Sequence, residues 1–555
     1  MSTFITSVAS LLVAYIVGKL MVARRERRNF PPGPKGLPLI GNALDFPTVN
    51  LGPEYVQWGQ RYNSLSKYLV LTAKLNPTGD ILHASAFGTH VIIINNRQIA
   101  DELFERRAVK YSDRPYSPTI DLAGMSSYNL GVMRYGEKWR IGRKFALQVF
   151  RQASTSPNNF SAAIITGVHQ ALKGLLHSPE RLWDHNKIVC VFDNRLPALF
   201  VGFRLSISIP MSSMYGYDAK SVSDPCITAA DASFTINMEL ASPGGSFINI
   251  LPALRFIPPW FPGAFSRRKA ETARKLTDEM VSIPLEFTKA RVAQGDARPS
   301  VVADLLERKN TVGVSEEEEA ALLSVAPTAY AAGSDTTQSS TGTFLYLMVS
   351  NPDVQRKAQA EIDSILGSKR LPGYEDRPSM PYVEAIYREV LRWRPPGSIG
   401  FPHSTTEDDV YDGYFIPKAK LQWIERADSI FYRAMTHDET KYPDPMAFKP
   451  ERFINPDGSL NDDDRIMAFG FGRRVCVGKH VASATVRPIS ILAVFNLEKA
   501  RDQSGTVIEV NGEYYEFGLI SLLSITLHDS RKKPFKCSIL PRSEAARQLV
   551  EQVSA

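Results

Sequence analysis

The first apolar run along the chain, residues 4–23, is broken only by Thr, Ser, Gly and one late lysine, Lys19. Twenty residues at ~1.5 Å rise reach ~30 Å, the thickness of a bilayer's hydrocarbon core, so the run predicts a membrane-spanning helix. No basic residue precedes it, whereas Arg24, Arg25, Arg27 and Arg28 follow it. That order is the reverse of a cleaved signal peptide, and it holds the following chain on the cytosolic side. No second run of this length occurs. Pro31, Pro32, Gly33 and Pro34, then Gly36 and Pro38, predict a short semi-rigid linker.

Beyond the linker the pattern is mostly helical, with a minority of strands. Val91, Ile92, Ile93 and Ile94 read as a buried strand and residues 95–107 as the helix after it. Ser315 with Glu318 gives a capping-box start, and the helical pattern then runs to about Ser350, where Asn351-Pro352 stops it. About 35 residues is far beyond the usual helix, so this one is expected to cross the whole domain. Pro327 interrupts it at a nominal cost of ~3 kcal/mol and predicts a kink. Residues 381–393 form another helical stretch, ended by Arg394-Pro395-Pro396-Gly397, and the prolines of residues 442–455 predict irregular coil.

With 555 residues, 44% hydrophobic and 22% charged, the composition is that of a globular protein. It excludes a disordered chain, a collagen-like fibre and a polytopic transporter. The net charge of +7 owes much to the cluster near residue 25, so no nucleic-acid partner is implied. Four cysteines (Cys190, Cys226, Cys476, Cys537) are too few for a disulfide scaffold and suit a reducing compartment.

Phe469-Gly470-Phe471-Gly472-Arg473-Arg474-Val475-Cys476-Val477-Gly478 carries the strongest chemical signal. A cysteine between glycines lies in a loop where backbone N–H groups can approach sulfur. With Arg474 nearby, that setting favours the thiolate, the form that binds metal. There is no CxxC and no paired Cys/His spacing, which argues against structural zinc. A lone thiolate suits haem iron, where its electron donation favours O–O cleavage. The spacing F-x-x-G-x-R-x-C-x-G is met in full.

On these residues the chain resembles a membrane-anchored cytochrome P450, a thiolate-haem monooxygenase, most nearly of the fungal microsomal kind. The resemblance implies a fold that is mainly α with a minor β portion, built as a single large domain. It also implies Cys476 as the axial ligand of haem b, with Phe469, Gly472 and Gly478 shaping the loop. In Ala332-Gly333-Ser334-Asp335-Thr336-Thr337 it makes Thr336 and Asp335 the proton-delivery pair, with Gly333 allowing close approach to the helix. Trp139 and Arg143, at i and i+4, would clamp the haem propionates together with His403 and Arg474. Glu389 and Arg392, completed by Arg452, would lock the coil before the cysteine loop. Arg473 and Lys479 would face an acidic electron donor. The implied partners are O2, a hydrophobic small molecule and an NADPH–cytochrome P450 reductase in the endoplasmic reticulum membrane.

The expected organisation is an anchor over residues 1–23, a basic and proline-rich linker over 24–42 and a catalytic domain over 43–555. Four segments interrupt the family pattern: 64–78, 188–205, 419–433 and 516–531. Their flanks rejoin into that pattern when they are removed, which suggests translated introns or exon-boundary errors; sequencing the spliced transcript decides it. The third segment replaces a strand expected beside His403. Two rivals stand beside the monooxygenase reading. One is a thiolate-haem isomerase or dehydratase, disfavoured by the intact Asp335-Thr336 pair. The other is a haem-free, inactive relative spoiled by the four segments.

Overall fold

The computed structural model describes residues 29–38, 40–47, 51–69, 80–155, 159–181, 205–219, 224–241, 246–367, 369–397, 399–418, 427–430, 432–485, 489–517 and 529–553. The span expected over residues 4–23 lies outside them. Among the described residues no helix is long and apolar enough to cross a membrane.

The architecture is mainly helical with four small sheets. Strands β1 (Ile81–Ala86) and β2 (Thr89–Ile94) form an antiparallel hairpin. Its turn needs positive φ at two successive positions, met by Phe87 and Gly88. The β2 isoleucines are fully buried, as an unbroken apolar run implies. A short hairpin, β3 (Asp409–Tyr411) and β4 (Tyr414–Ile416), follows the residues around His403. Strand β5 (Ala427–Ile430) then pairs parallel to β2, Val91 opposite Ala427 and Ile94 opposite Ile430. It corrects the sequence reading, which had given this strand up as replaced by the segment at 419–433. Strands β6 (Phe495–Lys499), β7 (Tyr514–Phe517), β8 (Asp529–Lys532) and β9 (Cys537–Pro541) form two further antiparallel pairs.

Of the other three interrupting segments, residues 64–69 end the helix Leu51–Leu69, Leu205 opens the helix Leu205–Tyr215, and residues 516–517 and 529–531 belong to β7 and β8. Their remaining residues lie outside the described ones. The linker is not a free spacer from Asn29 onward. Phe30 stacks on His83 and His90 at 4.4 and 5.0 Å, the Pro32 carbonyl accepts the His83 N–H at 2.9 Å, and a Cβ on Gly33 would stand 1.8 Å from the His83 carbonyl oxygen.

Three helices carry the site: α1 (Glu137–Thr155), α2 (Glu316–Ser350) and α3 (Pro381–Trp393). The Ser315 hydroxyl caps α2 by accepting the Glu318 N–H at 3.2 Å, while the Glu318 carboxylate binds Arg308 at 2.9 Å and does not close the capping box. Helix α2 crosses the domain as expected: Val325, Ala326 and Tyr330 pack with Trp139 and Phe150, and Phe344 to Val349 pack in a second core with α3 and β6. It runs without a break through buried Pro327. Residues 95–107 are less regular than expected. Asn96, not Asn95, caps a single turn, which widens into a π-helical turn over Asp101–Arg106.

Helix α3 buries the ion network that fixes the coil before the cysteine loop. Glu389 has no exposed surface, and the Arg392 fork meets it through Nε at 2.5 Å and Nη2 at 2.8 Å. Arg452 donates through Nε at 3.2 Å and the Lys449 N–H at 2.9 Å. The spare Arg392 donors reach the carbonyls of Thr436 at 2.7 Å and Pro445 at 2.9 Å. Burying these charges is tolerable only because nearly every donor is matched. Glu389→Gln keeps the shape but leaves two buried arginines uncompensated, and should cost about 3–5 kcal/mol in chemical denaturation. Loss of the exposed Asp353–Arg356 pair should cost about 1 kcal/mol or less. Similar losses for both would contradict the buried-network assignment.

Candidate active site

The loop from Phe469 to Gly478 is held by its own backbone. The Cys476 N–H donates to the Phe469 carbonyl at 2.8 Å, and the Phe469 ring packs on Tyr387 and Leu391 of α3. Gly470 and Gly472 both have positive φ, and a Cβ on Gly472 would lie 1.9 Å from the Phe104 carbonyl oxygen, so no other residue fits there. Gly478 donates its N–H to the Cys476 sulfur.

Burial pushes the Cys476 thiol up, against the opposing pull of the Gly478 N–H, Arg143 and Lys479. This corrects the expectation that the loop alone favours thiolate: burial wins, and a cation must be bound at sulfur to hold the ionised form. The cation expected nearby, Arg474, is not the one that acts on sulfur. The side chain is nonetheless solvent-accessible. Burial and accessibility agree if the sulfur faces an enclosed space.

Three arginines gather beside it, Arg114 buried and Arg143 and Arg474 half-buried. Arg474 donates to the carbonyls of Ser112, Leu130 and Met133 at 2.8, 3.1 and 2.9 Å and lies 4.1 Å over the Trp139 ring. Arg114, which the sequence reading did not single out, donates to Gly131 at 2.8 Å and to Phe401 and Pro402 at 3.1 and 2.7 Å. Arg143 donates to the Val475 carbonyl, one residue before the cysteine. Burial pulls Arg474 down to about 8 and Arg114 down to about 10, with mutual repulsion adding to the Arg474 shift. Among the described residues none of the three has a carboxylate partner. Asp113, the nearest acid, is gripped by Arg134. Positive charge that Asp113 offsets only from a distance calls for an anionic ligand, and the paired propionates of haem fit.

The other expected clamp residues play supporting parts. The Trp139 indole N–H is committed to the Leu130 carbonyl at 3.2 Å, so this ring carries Arg474 on its face. His403 is buried with Nδ1 2.6 Å from the Tyr111 carbonyl, which can only accept, so Nδ1 bears the proton. Burial, then Arg114, holds His403 well below its usual range. Its Nε2 is therefore an acceptor in the neutral ring and cannot donate to a carboxylate. Tyr432 completes this wall: burial pushes its phenol up to about 12, with Arg114 and Cys476 both near enough to act on it. Sequence reasoning had no signal for Tyr432, which lies in a segment it set aside. Arg473 is exposed on the outer side, against Tyr135.

In the middle of α2, Ala332 and Thr336 are exposed while Ser334 and residues 337–340 are buried. One turn apart, they are the exposed positions among the described residues of this helix from Ala321 to its end. The Thr336 hydroxyl donates to the Ala332 carbonyl at 3.0 Å. A Cβ on Gly333 would meet only Pro210, at 3.7 Å, so packing does not demand glycine there. The Asp335 side chain lies outside the described ones.

Arg143→Met and Arg474→Met should each speed haem loss to a scavenger protein by about tenfold or more, the worth of one charge-assisted bond. Arg140→Met, exposed on the same helix, should not. Equal rates in all three would contradict the anion-holding role.

Comparison with known proteins bears on the same residues. The family model for cytochrome P450 matches residues 31–511. Cytochrome P450 monooxygenase ple1 of Rhodocybe pseudopiperita is 34% identical over 95% of this chain and 92% of its own length. Cytochrome P450 monooxygenase COX2 of Coprinopsis cinerea is 35% identical over 99% and 96%. Tryptamine 4-monooxygenase of Psilocybe cyanescens is 32% identical over 94% and 95%. Similarity carried along almost the whole length, on a fold that sets an accessible loop cysteine beside a cluster of arginines, makes this chain a monooxygenase of the cytochrome P450 family, which implies a thiolate-ligated haem iron.

Proposed function

We propose that the protein inserts one atom of O2 into a hydrophobic small molecule, the other atom leaving as water, with electrons from an NADPH–cytochrome P450 reductase. The observation that carries this reading is the solvent-accessible Cys476 in a glycine loop gathered with Arg114, Arg143 and Arg474, whose guanidinium groups have no carboxylate partner among the described residues. The cofactor is haem b: the chain has no CxxC for thioether attachment, so haem is held by ligation and ion pairing alone.

When bound, the thiolate-ligated iron supplies the oxygen activation and insertion chemistry. The chain supplies the rest. Cys476 donates the ligand sulfur, and its loop fixes where that sulfur stands. Arg143, Arg474 and Arg114 bind the propionates, Trp139 supports Arg474 by its ring face, and neutral His403 braces the wall through Tyr111. The Thr336 hydroxyl, on the open face of α2, holds and passes a proton at Oγ1, with Asp335 as its proposed source. Two protons must reach a dry, apolar site, which a positioned hydroxyl can serve. The haem-free alternative has no support, since the cysteine loop and the Glu389 network are both formed.

The membrane reading draws on a second feature. Phe247, Leu251, Phe256, Trp260, Phe261 and Phe265 are exposed within residues 247–265, Trp260 by 79% and Phe265 by 72%. Arg255 and Arg268 stack on this patch, at 4.7 Å over Phe256 and 5.0 Å over Phe265. Aromatic rings interleaved with arginines suit a bilayer interface. With the span expected at residues 4–23, they support a cytosolic body lying on the endoplasmic reticulum membrane.

In a system reconstituted with reductase, Thr336→Ala should keep consuming NADPH but form about a hundredfold less product per NADPH, with peroxide rising in its place. Unchanged coupling would remove Thr336 from proton delivery. In proteoliposomes bearing the full chain, brominated lipids should quench part of the tryptophan emission, and that part should vanish in Trp260→Phe. Equal quenching in both would refute contact through this patch.

A further inference from the structure

The Glu389 network grips the chain upstream of the cysteine loop, at residues 436–452. A different group acts on the loop itself. The Glu105 carboxylate, on the π-helical turn Asp101–Arg106, accepts the Gly472 N–H at 2.8 Å. The same oxygen accepts Arg465 Nη2 at 2.7 Å, while Arg465 Nη1 reaches Asp101 at 2.6 Å. The Arg465 guanidinium lies 4.6 Å over the ring of Phe471, which is 1% exposed. One arginine and one carboxylate thus hold both the ring and the amide of consecutive loop residues.

Gly472 is also where the loop has least freedom. Its positive φ and the press of the Phe104 carbonyl leave no room for a Cβ. From there its carbonyl accepts the Val475 N–H at 3.1 Å, and Cys476 follows directly. A shift at Gly472 therefore reaches the sulfur within one turn. The clamp also joins the upstream network. Asp463 receives Arg97 at 3.5 Å, Lys441 at 2.6 Å and the Tyr442 hydroxyl at 2.7 Å; Arg97 is 3.7 Å from Asp101, and the Tyr442 ring lies under Arg392.

We propose that Glu105, held by Arg465, is a positioning residue for the Cys476 sulfur, fixing the Gly472 turn so that the sulfur stands where it can ligate iron. The proposal rests on the thiolate-haem reading above. The ion pairs alone would contribute little, since Glu105 and Arg465 are partly exposed. The amide-to-carboxylate bond is charge-assisted and directional, and it is the contact that holds the loop.

The test compares Glu105→Ala, Glu105→Gln and Arg465→Gln with Glu102→Ala. Glu102 sits on the same turn, but among the described residues its carboxylate pairs with Arg106 and Arg107 and not with the loop. Amide hydrogen exchange of the Gly472 peptide is read on cofactor-free protein, and the absorption of the reduced, carbon-monoxide-treated form on haem-loaded protein. Glu105→Ala should exchange about tenfold faster at Gly472 and move part of the absorption from the thiolate-type band to the neutral-ligand band. Glu105→Gln, which still offers an acceptor oxygen, should restore most of both. Arg465→Gln should fall between them, and it carries the test if Glu105→Ala does not fold. The proposal is overturned if Glu105→Ala or Arg465→Gln behaves as Glu102→Ala, or if Glu105→Gln is as impaired as Glu105→Ala. Absence of a thiolate-type band from the unaltered protein would instead defeat the cofactor reading, leaving the exchange result to judge the clamp.

Discussion

A carboxylate with no exposed surface, shared by two arginines, is the constraint on which the rest of the structure depends. The Glu389 carboxylate is matched in the interior only while the Arg392 fork, the Arg452 Nε and the Lys449 amide all stay in place. Both arginines are tied in turn to carbonyls of the coil between Thr436 and Ala447. Moving any part of that coil strips a partner from a buried charge, so a stretch with little regular structure of its own is held almost as firmly as a helix. The cysteine loop follows this coil along the chain, and Phe469 rests on Tyr387 and Leu391 of α3, beside Glu389 and Arg392.

A few residues further on, the charge balance is reversed. Around Cys476 the chain gathers Arg114, Arg143 and Arg474 and, among the described residues, meets their guanidinium groups with backbone carbonyls and with no carboxylate in contact. Burial pushes the thiol up and pulls all three arginines down. The cofactor-free site is thus unfavourable in both of its charges, and each is relieved by a different part of one ligand: a metal cation at sulfur and carboxylates at the arginines. A core would not retain such an arrangement for stability. It makes sense as a binding site whose electrostatic strain is released when haem enters.

Much of this was legible in the sequence where a pattern repeats or a motif has fixed spacing. The β2 isoleucines, the Ser315 cap, the length of α2 and the bounds of α3 follow from periodicity and end signals. The cysteine loop and the Glu389–Arg392 pair follow from spacing. Single residues brought in from far along the chain did not show: Arg114 meets Pro402 across 288 positions and Glu105 meets Gly472 across 367. Neither lies in a recurring pattern, and a lone arginine or glutamate reads as solvated surface. Tyr432 and β5 were hidden differently, inside a segment whose flanks alone looked family-like. Trp139, Arg143, His403 and Arg474 were brought together as expected, but their division of labour depended on which carbonyl each donor found.

The central claim is that Cys476 ligates haem iron as a thiolate. It is tested most directly by the absorption of reduced, carbon-monoxide-treated membranes containing the full chain, beside a Cys476→Ala control. The account predicts a strongly red-shifted Soret band in the unaltered protein that is lost in the control. A band at the neutral-ligand position in the unaltered protein, or a red-shifted band that survives in the control, would contradict it.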